Sequence, residues 1–575
     1  MKTTARRVFC RSEWSYGYIL PRRGIFISQS NEIRLKYVPN GDTYDRPEMA
    51  QKSVFVRAAS GLSREIGLIS AFSICILTVN LSYLEIPLVW PSSAPGVLIS
   101  QALLIALVMY IWHALTYAQC STAMPRSGGD YVWVSRLLHP SIGFMQSFVY
   151  NMFLLMLLGM VVRWAGTSIG SLIYTSGYLL GNPTLAGIGE FFATSIPGIF
   201  IICTIFIAIG ITVLGLGSRF TARWCTTAWF VSILGFIPVA LLLIFTPSDF
   251  VSVWNLRFGH IMDYNTVIAT AKQAGYSWPG FTWAGTIAAL PLAYWALVGY
   301  QYSAYFAGEV KSVKYTQLVA MVGSMVFAIV VHSLVMTTIT STIPYDFLGA
   351  IGYLFYVRPD LYTLPIPPYA PTLISLLMPN GVIVFLAFLG VICTYLGWMP
   401  SNFLAVSRNI FAWSFDRVIP ARFSDVSPRF RVPVPSAILT GAICELGLII
   451  TVAIPGLLAV FNYLWAACIT AILAGVSGIL LPFRRRALYE ASPMKFRIGP
   501  VPFVSICGAI TVIVFGWMMY QLETNPVGGS PLTREGLIGL LCTVVLGFAI
   551  YYISRAYHKA RGIDIAAAFE EIPPE

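Results

Sequence analysis

Runs of about twenty apolar residues, punctuated by Gly, Pro or charge, recur along the chain from Gly67 to Tyr552. That is the length a bilayer core demands of a helix rising about 1.5 Å per residue. The pattern predicts twelve spans, helix 1 to helix 12, over residues 67–90, 96–121, 141–174, 194–216, 221–246, 283–307, 314–342, 378–406, 434–455, 457–482, 500–521 and 535–557. Two of them break their own pattern. Helix 6 carries Pro291 and Gly299 inside its apolar run and closes on Gly308-Glu309-Val310-Lys311. Helix 1 carries the polar run Thr78-Val79-Asn80-Leu81-Ser82 and then Pro87. If the chain is built from inverted five-helix repeats, these two helices occupy corresponding positions, and interrupted helices there bracket a solute. The plainer reading is that the Ser and Thr residues serve helix packing.

Composition agrees with a polytopic membrane protein. The chain is 57% apolar and 10% charged, with a mean hydropathy of +0.75, whereas soluble domains carry about a quarter charged residues. A net charge of +12 would suit a nucleic-acid binder, but about half of it lies in the first sixty residues and most of the rest in loops on one face. Arg126 and Arg136, Arg219 and Arg223, Lys311 and Lys314, Arg408 to Arg431, Arg484 to Arg486, and Arg555, Lys559 and Arg561 all fall there. That distribution follows the positive-inside bias, so the lipid bilayer is the partner, nucleic acid is not, and both termini are expected in the cytosol of a cell membrane. The opposite loops, about 247–282 and 343–377, read as Pro- and Tyr-rich caps. The expected organisation is a partly disordered cytosolic tail (1–62), a ten-helix core (63–482), helices 11 and 12 (483–558) and a cytosolic C-terminal tail (559–575). The first sixty residues have no continuous apolar segment followed by a small-residue cleavage site, so they do not read as a signal peptide. Ten cysteines without CxxC spacing imply neither a disulfide framework nor a metal site. No spaced His/Asp/Glu/Cys set and no GxxxxGK[ST] pattern occur, which disfavours an enzyme or an ATP-driven pump.

Ionisable residues at membrane depth are costly and default to function. Counted from the basic ends of their helices, Glu85 and Arg163 both come out roughly 30 Å up. They read either as a pair closing an external gate or as headgroup-level residues beside Trp90 and Trp164. Glu445, eleven residues into helix 9, falls near the midplane, where a carboxyl is held neutral or paired and can carry a proton. Glu309 at the basic end of helix 6 reads as a salt-bridge latch, with Arg126, Arg136 or Arg408 as partners, or as an ordinary solvated loop residue. His113 and His332 have no spaced partners and read as packing residues.

Four stretches together resemble the amino acid–polyamine–organocation permease superfamily. They are SREIGLISAFSI (63–74), AMPRSGGDYVWVSRLLHPSIGF (123–144), SRNIFAWSFDRVIPARFSDVSPRFRVPVP (407–435), and Trp295-Ala296-Leu297-Val298-Gly299-Tyr300 followed by Glu309-Val310-Lys311. The resemblance covers about residues 63 to 480. It implies an all-α fold of five plus five inverted helices, with helices 1 and 6 unwound at the solute and helices 11 and 12 outside that core. It further implies a secondary transporter that moves an amino acid or related amine by alternating access. The solute would be held by Asn80, Leu81, Ser82 and Tyr83 from helix 1 and by Trp295, Ala296, Leu297 and Gly299 from helix 6, with Trp295 as a lid. This chain departs from the family at Leu81-Ser82-Tyr83, which replaces a Gly-Ser/Ala-Gly break, and the change counts against an ordinary carboxylate grip. The lysine that many proton-coupled members carry on helix 5 falls near Ser232, so proton coupling through that position is not expected. H⁺ by another carrier and Na⁺ both stay open as the coupling ion, and Thr394, Ser401 and Asn402 on helix 8 are polar candidates for an ion site. The rival reading is a transport-silent solute sensor or assembly partner that keeps the permease fold.

Overall fold

The computed structural model describes residues 55–56, 59–79, 86–245, 249–365, 367–377, 381–454, 457, 460–525 and 531–573. The chain divides into two units, 1–52 and 53–575; the first lies outside the described residues, and the account below concerns the second. Eleven described helices are long and apolar enough to cross a membrane, and they correspond to the expected helices 2 to 12. The first span is represented by two shorter helices, Leu68–Val79 and Ile86–Ser93. The residues between them, 80–85, fall outside the described set.

Several boundaries move, each for a local reason. Helix 3 spans Pro140–Leu179, opened by the His139 side chain, which accepts a hydrogen bond from the Ser141 amide. Arg163 therefore sits within a helix that runs on to Leu179, five residues beyond the expected end. Helix 8 spans Gly381–Phe415, so Arg408 belongs to its interior and not to the following loop. Helix 7 is Val313–Leu318 and Ser324–Thr342 joined through a π turn at Val319–Gly323. The cap loops contain helices of their own, including Phe250–Met262, Tyr264–Gln273 and Tyr345–Tyr356. Asp249 and Asp263 start the first two by accepting backbone N–H groups.

Helix 5 packs along helix 8, helix 3 along helix 9 (Val434–Ala453), and helix 10 (Tyr463–Arg484) along helix 11 (Phe503–Thr524). Hydrocarbon surrounds such helices on their outer faces, so the drive to pack comes from close fit and not from removal of water. At the helix 3–helix 9 crossing, a Cβ on Gly159 would lie 2.3 Å from the Gly447 carbonyl carbon and from the Leu448 nitrogen. The C-terminal segment returns to the arginine-rich face. Its 3-10 turn Ile565–Phe569 is buried, and the Arg136 guanidinium lies 4.8 Å from the Phe569 ring centroid.

The backbone contact at Gly159 yields a paired prediction. Gly159→Ala should lower the midpoint of thermal unfolding in detergent by several degrees, because the opposing backbone has to yield. Gly516→Ala, where an added Cβ meets nothing within 4 Å, should be neutral or stabilise by up to about 1 kcal/mol.

Candidate binding site

Helix 6 is interrupted as its sequence suggests. It runs as Trp283–Ala288 and Leu290–Leu297, stops, and resumes as a 3-10 turn over Tyr300–Ala304. The stop is at Gly299, whose φ of +112° a side-chain-bearing residue rarely adopts. A Cβ there would also lie 2.2 Å from Thr78 Oγ1, so Gly299 lets helix 6 pass directly against the end of Leu68–Val79. The Gly299 amide donates to Gln301 Oε1 (3.1 Å), and Gln301 Nε2 donates to the Tyr150 hydroxyl (3.3 Å). Helix 6 thus brings the C-terminal, carbonyl-bearing end of Leu290–Leu297, which carries partial negative charge, against Thr78 of helix 1.

Next to this junction is a cavity of about 50 Å³, lined among others by Thr78, Trp164, Trp295, Tyr302, Trp398 and Asn402. By the same measure a water needs roughly 10–15 Å³, so the cavity is closed down to a few waters' worth of space. Trp295 stands edge-to-face with Trp164, ring centroids 5.5 Å apart. Helix 3 supplies Leu154, Leu157, Leu158 and Val161, and helix 8 supplies Tyr395, Trp398 and Asn402. Both sets have the i, i+3/i+4, i+7 spacing of one helical face; Asn402 marks that face on helix 8, whereas the four apolar residues of helix 3 carry no mark that distinguishes theirs. None of the described lining residues is charged.

Of the residues expected to hold a solute, Trp295 and Ala296 line this cavity, Gly299 forms the junction, and Leu297 is buried but is not part of the lining. Asn80, Leu81, Ser82, Tyr83 and Glu85 lie outside the described residues. Arg163 donates to the Thr451 carbonyl on helix 9 (3.5 Å). Glu445 accepts from the Thr204 hydroxyl on helix 4 (2.7 Å). Ser232 and Thr394 form a hydroxyl pair at 2.5 Å between helices 5 and 8, and Ser401 donates back to the Gly397 carbonyl. His113 Nδ1 lies 2.6 Å from the Tyr300 hydroxyl, and His332 Nδ1 lies 2.6 Å from the Ala328 carbonyl oxygen.

Glu309 is not a solvated loop residue. It is fully buried, and so is Arg408, which reaches it from helix 8. Arg408 Nε donates to Oε1 (2.5 Å) and Nη2 to Oε2 (2.9 Å), the forked geometry in which guanidinium binds carboxylate best. Ser218, at the start of helix 5 (Ser218–Phe245), donates to Glu309 Oε2 and accepts from Arg408 Nη2 (2.9 Å). The backbone ties the same point to helix 1. The Ile66 amide donates to the Glu309 carbonyl (3.0 Å), and the Lys311 amide donates to the Ile66 carbonyl (2.9 Å). Arg136 is occupied elsewhere, donating to both oxygens of buried Asp416.

A family model described as amino acid permease matches residues 66–548. The chain also aligns with cationic amino acid transporter 4 of Mus musculus at 25% identity, over 62% of this chain and 49% of that protein. It aligns with an uncharacterized amino-acid permease of Schizosaccharomyces pombe at 24% identity, over 77% of this chain and 74% of that protein. The match thus spans about half the length of the mouse relative.

Removing one partner of a buried ion pair leaves an uncompensated charge and costs about 3–5 kcal/mol. Arg408→Met alone should therefore sharply reduce the yield of monodisperse protein on size-exclusion chromatography. The double variant Arg408→Met with Glu309→Gln should recover much of it, since neither charge is then stranded.

Proposed function

The chain belongs to the amino acid permease family, and from that premise we propose that it carries an amino acid or related amine across the cell membrane by alternating access. The arginine-rich face, with both termini, is cytosolic in this reading. The observation that supports it most is the break of helix 6 at Gly299, packed against Thr78 of helix 1 beside a small cavity. Carbonyl ends of half-helices suit an ammonium group, and an unwound backbone can change shape without unfolding the helices around it. Trp295 covers the cavity against Trp164 and acts as the lid. The Glu309–Arg408–Ser218 cluster acts as the cytosolic latch. The name of the mouse relative concerns cationic amino acids. In this chain no carboxylate lines the described part of the cavity, so a solute with a neutral, apolar or aromatic side chain fits better. H⁺ or Na⁺ would drive the cycle.

A second reading, a transport-silent sensor or assembly partner, draws on the loss of both expected helix 1 glycines at Leu81-Ser82-Tyr83. The two are separated by loading liposomes containing the purified chain with a solute panel and measuring uptake and exchange under imposed pH and Na⁺ gradients. Transport predicts saturable exchange of leucine or phenylalanine in preference to lysine or arginine. Solute binding with no flux in either direction would establish the sensor reading instead. Trp295→Ala should raise the half-saturating solute concentration about tenfold or more, equivalent to about 1.4 kcal/mol of lost contact. Unchanged kinetics would remove Trp295 from the lid.

A further inference from the structure

Three acidic side chains are buried among the described residues: Asp130, Glu309 and Asp416. Two have a guanidinium partner, Glu309 with Arg408 and Asp416 with Arg136. Asp130, only 1% exposed, has none. Its Oδ2 accepts hydrogen bonds from the hydroxyls of Tyr117 (2.6 Å) and Tyr305 (2.9 Å). Its Oδ1 and both amide atoms of nearby Gln146 make no hydrogen bond of good geometry, while the Gln146 side chain and the Tyr131 backbone amide lie close enough to favour the carboxylate.

The groups around this carboxyl come from three directions. Helix 2 (Ile99–Ala123) supplies Tyr117, whose ring lies tilted against His113 with centroids 4.4 Å apart. Helix 3 supplies Gln146, which is uncharged, and the segment beyond the helix 6 break supplies Tyr305. The nearby cations are committed elsewhere. Arg136, on the same short helix Asp130–Leu137, is held by Asp416, and Arg484 from helix 10 donates to the carbonyls of Leu137 and Leu138. An ionised carboxylate in this position would be buried without a counter-charge, which is costly. A neutral carboxylic acid would not be, and a proton on Oδ1 would supply the donor that Gln146 Oε1 lacks. Burial raises the proton affinity of Asp130, and the Tyr117 and Tyr305 hydroxyls, the Gln146 side chain and the Tyr131 amide only partly offset it.

Position gives this group a role. Tyr305 follows Tyr300–Ala304, the 3-10 turn that starts at the Gly299 break. Its carbonyl accepts from the Gly128 amide (2.8 Å), and its ring lies directly over Gly129. Phe306 makes a bridge to Ser127. Withdrawal of the segment beyond the break would therefore take the Tyr305 hydroxyl and ring away from Asp130.

We propose that Asp130 is a proton-binding site of the transport cycle, holding a proton while Tyr305 covers it and giving that proton to cytosolic water when the segment beyond Gly299 withdraws. The acid O–H bond breaks, a carboxylate remains, and the proton leaves with the solvent that enters. The inference rests on the transporter reading and names the coupling ion for it. The covered state binds the proton more tightly than the uncovered one, so low pH favours closure and rising pH favours opening.

The test uses the full chain in liposomes. Infrared difference spectra between acid and alkaline pH should show a protonated-carboxyl band that Asp130→Asn abolishes. Asp130→Asn should retain solute exchange at equal pH and lose at least tenfold in accumulation driven by a pH gradient. Tyr305→Phe keeps the ring and removes one donor to the carboxylate, so the pH midpoint of transport should move upward. A spectrum unchanged by Asp130→Asn, or gradient-driven accumulation equal to wild type, would overturn the proposal. A wild-type chain that shows the band and exchanges no solute would instead defeat the transporter reading, and the coupling role with it.

Discussion

A fully buried bidentate ion pair, Glu309 with Arg408, holds together one end of this molecule. Its strength depends on complete satisfaction. Both carboxylate oxygens accept from the guanidinium, and Ser218 serves one partner as donor and the other as acceptor. Desolvating two charges costs several kcal/mol per ion, recovered only while the geometry is kept. Such a contact has two stable conditions, formed in a dry site or separated in a wet one, and a poor intermediate. That is the behaviour required of a latch. Because Glu309 is also tied through its backbone to Ile66, the pair couples the start of helix 1, the end of helix 6, helix 8 and the turn before helix 5.

Apolar length and basic loops were enough to locate the spans, since every transmembrane helix must satisfy its backbone internally. The break at Gly299 was equally legible, because glycine and polar punctuation in an apolar run have few other uses. Arg408 was misplaced for an instructive reason. Hydropathy ends a helix at a charge, and this charge is buried only because a carboxylate 99 residues away in sequence comes to meet it. The cavity face of helix 3 was invisible: Leu154, Leu157, Leu158 and Val161 differ in no chemical respect from the leucines that face lipid. Asp130 was hidden inside a motif that reads as a loop, and its isolation from every guanidinium exists only in three dimensions.

The three buried acids make a graded set. Asp416 and Arg136 join the loop after helix 8 to the segment between helices 2 and 3, and Tyr131 adds a further donor at 2.8 Å. Glu309 and Arg408 close the exit of helix 6. Asp130 has no guanidinium among the described ion pairs and accepts from two tyrosines, one of them on the segment that follows the break. The two acids with guanidinium partners thus tie elements together, and the acid without one faces the segment beyond the break. The absence of a lysine at Ser232, whose hydroxyl is engaged with Thr394, is consistent with a proton being carried elsewhere.

Every step of the proposed cycle requires the segment beyond Gly299 to move away from its surroundings. Spin labels at Lys311→Cys and Arg219→Cys, both exposed positions, would report this as a distance across the latch, with exposed Cys542 replaced by serine. Pulsed electron-spin measurements should show one short distance at low pH. A second, longer population should appear at higher pH or with saturating solute, and Glu309→Gln should enlarge it. A single unchanged distance under all three conditions would contradict the account.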